Sequence, residues 1–166
     1  LTVGSATISR DALNREVVVL GSTADLLEVR HMEIGIGRFL PAGDIHDSAS
    51  VCVLGNAIKR ELFGNAQAVG QWVRLGDRRF RVVGVLASQG ESMGFRTDDL
   101  VIVPVATAHQ LFNTSGLFRV LIEAKHRDAI EQAKRDVEEI MELRHSERDV
   151  TVITQDALLQ TFDRIL

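Results

Sequence analysis

Apolar Val3, Ala6 and Ile8 are spaced among small polar residues over 2–9, and 16–20 carries the dense, strand-sized apolar run Val17–Leu20, so both stretches read as strands. The polar run 10–15 between them predicts a connecting turn. Gly21, Ser22 and Thr23 then offer a turn and an N-cap for a short helix over 24–32, with Leu26, Leu27 and Val29 on its apolar face. Three glycines and a proline make 35–44 a loop. The apolar run 51–54 predicts a strand. Asn56 then caps a two-turn helix over 57–63 that ends at Gly64 and carries Ile58, Leu62 and Phe63 on one side.

A hairpin follows, with strands at 72–75 and 80–86 around the sequence GDRR. Centring its turn on Asp77 and Arg78 pairs Leu75 with Phe80, Arg74 with Arg81, and Val73 with Val82. Alternation then sends Val73, Leu75, Phe80 and Val82 to a core and Arg74 and Arg81 to the opposite face. That face is expected to be wet or to meet an acidic partner, because like charges side by side are unfavourable. Residues 89–99 form a polar loop holding Met93 and Phe95, 100–103 another strand, 106–112 a short helix and 113–116 a linker.

The last part of the chain reads as a βαβ unit: a strand over 118–124, a helix over 128–144 and a strand over 149–153. Asp128 and Glu131 stand at capping-box spacing, and Ile130, Ala133, Val137, Ile140 and Met141 repeat with helical period. Residues 155–166 form an amphipathic helix that would continue in a longer protein. Beginning at Leu1 rather than Met, the chain reads as a domain cut from such a protein. Strand–helix–strand units at the two ends flank a β-rich middle, which predicts two subdomains, the outer one discontinuous.

Composition narrows the function classes. Hydrophobic residues make up 45% and charged residues 25%, as in ordinary globular domains. A net charge of −4 lacks the footprint of a nucleic-acid binder. No apolar run approaches the roughly 18 residues that cross a bilayer. The single cysteine, Cys52, excludes an internal disulfide and a cysteine-based zinc site, and its apolar neighbours make it a core residue.

The order of the pieces resembles the extracytoplasmic core domain of MacB/FtsX-like ABC transporter permeases. The matching segments are VLGSTADLLEVRHMEIGIGRFL at 19–40, VCVLGNAIKRELFG at 51–64, VGQWVRLGDRRFRVVGVL at 69–86 and VIVPVATAHQLF at 101–112. The chain departs from the family pattern at Ala24, where members often start the helix with proline. The resemblance implies an α+β fold: a porter-like βαβ subdomain made of residues 1–50 and 117–166, with a small β-rich subdomain inserted at 51–116. It also implies a place between the first two membrane helices of a dimeric permease, with ATP hydrolysed on a separate cytoplasmic domain or subunit. Movement would pass through this domain to a periplasmic adaptor, a lipoprotein carrier or an activator of cell-wall hydrolases. No ATP-binding GxxxxGK[ST] loop is present in this chain, and no cofactor is implied.

An enzymatic reading has little in the residues to support it. The five histidines are scattered, there is no GxSxG elbow, and the loop Asp44, His46, Asp47 suits turn chemistry better than metal binding. The candidate partner-binding residues are Met93 and Phe95, apolar in a polar loop, and Arg74 and Arg81 on the hairpin. For Arg74, Arg78, Arg79 and Arg81 together, the default is a solvated hairpin tip beside Asp77. The rival reading from another class is an extracytoplasmic domain that senses a ligand or peptide in a groove between subdomains.

Overall fold

The computed structural model describes residues 1–88, 91–92, 95–114, 116–117, 119–145 and 151–154. The first hairpin is β1 (Thr2–Arg10) and β2 (Leu13–Ser22), joined by a two-residue turn in which Asp11 has a φ of +53°. A single turn of helix, α1 (Leu26–Val29), precedes β3 (Ile34–Gly37). Next come β4 (Val51–Leu54), α2 (Asn56–Phe63), β5 (Trp72–Leu75) and β6 (Arg78–Leu86). A small ribbon, β7 (Glu91–Ser92) with β8 (Phe95–Arg96), leads to β9 (Leu100–Pro104) and α3 (Val105–Leu111). The expected loop at 35–44 therefore contains part of a strand, β3, whose partner lies some fifty residues away in sequence, on β6.

The strands close on themselves. β6 pairs with β4, β4 with β9, β9 with β2, β2 with β1, β1 with β5, and β5 again with β6. β3 adds to the far half of β6, beyond the reach of β5. The β2–β9 and β4–β6 pairs are parallel and the others antiparallel, so the barrel is mixed, as an α+β fold allows. Closure leaves its six strands without a long free edge.

Alternation divides the barrel side chains between two cores. Ile8, Val19, Cys52, Leu54, Leu75, Phe80, Val82 and Val101 fill one cluster with Ile58, Leu62 and Phe63 of α2 and Ala108 of α3. Leu20, Val53, Val83, Leu100 and Ile102 form the second, with Leu26 of α1 and with Met32, Phe39 and Leu40. One face of each central strand thus feeds each cluster, which explains why β4 and β9 read as unbroken apolar runs.

The β5–β6 hairpin corrects the expected register. Its turn is Gly76–Asp77, so Trp72 faces Arg81, Val73 faces Phe80, Arg74 faces Arg79, and Leu75 faces Arg78. Gly76 has a φ of +61°, which glycine accepts at the first central position of a two-residue turn. The turn therefore closes one residue earlier than the arginine-centred alternative. Because the shift changes each pairing by two residues, the faces are preserved: Val73, Leu75, Phe80 and Val82 are buried, and Arg74 and Arg81 are exposed. Arg74 and Arg81 share a face without being paired.

Contacts divide the chain into Leu1–Leu121 and Ile122–Leu166. The sequence expectation instead joined 1–50 to 117–166 and set 51–116 apart; β1 and β2 of the first stretch are hydrogen-bonded to β5 and β9 of the second. An alternating pattern states that a strand has an inner face and leaves open which strand it pairs with. In the second unit, α4 (Ile130–His145) forms as expected, after a 3-10 turn at Arg127–Ala129. Of the expected flanking strands at 118–124 and 149–153, the described residues 119–124 and 151–153 belong to neither sheet, and residues 118 and 149–150 lie outside the described residues. Arg119 exchanges backbone hydrogen bonds with Leu1, and Val120, Ile122 and Ile153 are each about 60% exposed. The expected tail helix at 155–166 lies outside the described residues.

Candidate functional site

Arg78 and Arg79 are neighbours on β6 and point to opposite sides. Arg78 turns inward and is tied down: its guanidinium donates to Ser50 Oγ at 2.9 Å, Gln110 Oε1 at 3.0 Å and the Ser48 carbonyl at 2.6 Å. It stitches the hairpin to the segment before β4 and to α3, and so is no solvated tip. Arg10 and Arg15 are likewise engaged. Arg10 donates to the Leu62 carbonyl and lies 4.2 Å from the Phe63 ring centre. Arg15 reaches Glu61 at 2.8 Å and Asp99 at 3.1 Å. Burial works against the Arg15 charge, but hydrogen bonds to those two carboxylates outweigh it and raise its pKa.

Arg74, Arg79 and Arg81 differ from these. All three are exposed on the outer face of the hairpin, and none reaches a carboxylate or other acceptor among the described residues. Two of them, Arg79 and Arg81, stand against Trp72, the only tryptophan of the chain, which is 47% exposed. The Arg79 guanidinium stands 4.8 Å and that of Arg81 5.8 Å from the Trp72 ring centre, both inside cation–π range. Arg74 lies directly opposite Arg79 on one side and Ser9 of β1 on the other. The result is an open aromatic and guanidinium surface on the barrel wall.

Of the four residues singled out from sequence, the structure brings Arg74 and Arg81 to this one face. Met93 lies outside the described residues. Phe95 lies on β8 with Ser92 opposite, and its side chain is outside what is described. Sequence reasoning grouped Arg79 with Arg74, Arg78 and Arg81 at the hairpin tip and missed Trp72 as a member of the face. The signal was available in WVRL, where inward Val73 and Leu75 oblige Trp72 and Arg74 to point outward.

Other chemistry-bearing residues have structural work. Asp44 Oδ1 accepts the backbone N–H of His46 at 2.8 Å, the turn arrangement expected of that loop. His109 Nε2 lies 2.9 Å from Thr2 Oγ1 and 3.2 Å from the Gly116 carbonyl, tying α3 to the start of β1 and to the linker. Among the described residues no three of His, Cys, Asp or Glu are grouped to hold a metal. No described helix is long and apolar enough to cross a membrane.

Comparison with known proteins agrees with this fold. The sequence model of the MacB-like periplasmic core domain matches residues 2–140. The chain is 26% identical over 160 residues to the pyoverdine export ATP-binding/permease protein PvdT of Pseudomonas aeruginosa, covering 95% of the chain and 24% of that protein. It is 30% identical over 133 residues to the macrolide export protein MacB of Bdellovibrio bacteriovorus, covering 80% of the chain and 20% of that protein. The chain thus spans about a quarter or less of the length of these relatives. Among solved structures, the periplasmic region of MacB from Actinobacillus actinomycetemcomitans superposes with a TM-score of 0.79 at 20% identity, over 98% of this chain and 73% of that one. The extracellular domain of the transporter YknZ from Gram-positive bacteria gives 0.77 at 19% identity, over 92% and 78%. With the family model covering most of its length, the chain belongs to the MacB-like periplasmic core domains, the extracytoplasmic portion of ABC transporter permeases.

Proposed function

We propose that this domain passes ATP-driven movement of a membrane-embedded permease to a partner or cargo on the outer side of the membrane. The observation that carries the reading is the family match across residues 2–140. The barrel is mechanically suited to such a role, because six strands hydrogen-bonded in a ring around a close-packed core resist shear. A displacement applied at one side then moves the whole wall. ATP would be hydrolysed on a separate cytoplasmic domain or subunit, and the parent permease would act as a dimer. Since relatives are named for pyoverdine and macrolide export, efflux with a periplasmic adaptor is the form favoured over lipoprotein release or hydrolase activation.

The test replaces residues 2–121 of the parent permease by a flexible linker and follows two readouts in the same cells and membranes. ATP hydrolysis should persist while export of a macrolide falls to background. Export at the parental rate without the domain would overturn the proposal.

A further inference from the structure

We propose that the outer face of the β5–β6 hairpin is a docking surface for an acidic segment of a partner protein; this rests on reading the domain as the partner-engaging part of a permease. Arg74 and Arg79 stand directly opposite each other, an arrangement that repels unless an anion lies between or above the pair. Arg79 and Arg81 both lie within 6 Å of the Trp72 ring, which holds two planar guanidiniums against a half-exposed aromatic surface. Arginine and tryptophan dominate the energetics of protein interfaces, and guanidinium forks match carboxylates in geometry as well as charge. The patch also runs against the net charge of −4, so it stands out electrostatically and would steer an acidic partner toward it.

A protein segment fits this face better than a lipid surface. Of the outward positions that pair across the hairpin, only Trp72 is apolar, and three arginines fall short of the roughly four to eight basic residues of headgroup-binding clusters. Rigid strands fix the spacing between the guanidiniums, which favours carboxylates presented at regular intervals along a peptide.

Because Trp72 is the sole tryptophan, its fluorescence reads the surface directly. The 166-residue chain is titrated at low salt with a synthetic Glu-Gly repeat peptide, with its Gln-Gly counterpart, and with vesicles of phosphatidylglycerol and phosphatidylcholine. The Glu-Gly peptide should change Trp72 emission saturably and in a salt-sensitive way, and the Gln-Gly peptide and the vesicles should not. Arg79→Gln with Arg81→Gln should weaken binding about tenfold. Lys59→Gln with Arg60→Gln, both on α2, removes the same charge from another element of the same unit and should leave binding unchanged; Arg74→Gln should weaken binding by itself, and equal melting temperatures check the fold of each variant. Equal weakening by the two double variants, silence of Trp72 toward the acidic peptide, or a response to vesicles alone would each overturn the proposal. Such a failure removes the surface and leaves the coupling role, which the excision assay reads separately.

Discussion

Cys52 lies on β4, fully buried between the strands on either side, and desolvation pushes its thiol up from near 9 to about 12. In the unfolded chain the thiol ionises first. Between pH 9 and 12 the native protein therefore keeps a proton that the unfolded chain has released, and stability falls as pH rises through that window. Below pH 9 the contribution is complete. At about pH 8 the native protein should be inert to an aromatic disulfide reagent, and one thiol per chain should react once denaturant is added; rapid reaction of the native thiol would show that Cys52 is accessible. The sequence VCVL already made this residue part of the core, because a cysteine flanked by valines has no polar face to present. The different fates of Arg78 and Arg79 were less legible: the three acceptors that hold Arg78 come from Ser48, Ser50 and Gln110, which only the folded barrel brings near.

At the scale of elements, β6 carries the most constraints. Its pairing with β4 shifts by one residue between Val82 and Gly84, and its far half takes β3 as an added neighbour. At Gly84 the chain entering after β3 passes so close that a Cβ would overlap the carbonyl oxygen of Arg38. Gly84→Ala should therefore destabilise the protein by about 2–4 kcal/mol, since backbone has to move to admit the methyl. Denaturant unfolding measures this, and a loss under about 0.5 kcal/mol would mean that the crossing is loose. Local pattern was enough to read β1, β2, β4, α2, β9, α3 and α4, whose signals lie within a few neighbouring residues. It was not enough for β3, where Gly35 and Gly37 imitate a loop while the pairing partner lies far away in sequence. The hairpin register depended on which dipeptide forms the turn, and the conformational freedom of Gly76 settles it in favour of Gly76–Asp77.

At the scale of the molecule, the ring of strands is a product of long-range pairing. β1 with β5, and β2 with β9, join segments more than sixty residues apart, and no local pattern encodes such pairs. The candidate surface is legible only after this closure, because the face opposite the barrel core becomes a wall on which Trp72, Arg74, Arg79 and Arg81 are displayed together. A barrel of this kind should travel as one body when the membrane helices move, with its internal pairings intact. The direct measurement places a spin label at Asn65→Cys, an exposed site just after α2, in the parent permease with its other reactive cysteines replaced. Buried Cys52 can remain, since the native fold shields it. Label-to-label distances across the proposed dimer should shift between the nucleotide-free and ATP-trapped states. Identical distance distributions in the two states would contradict the coupling role.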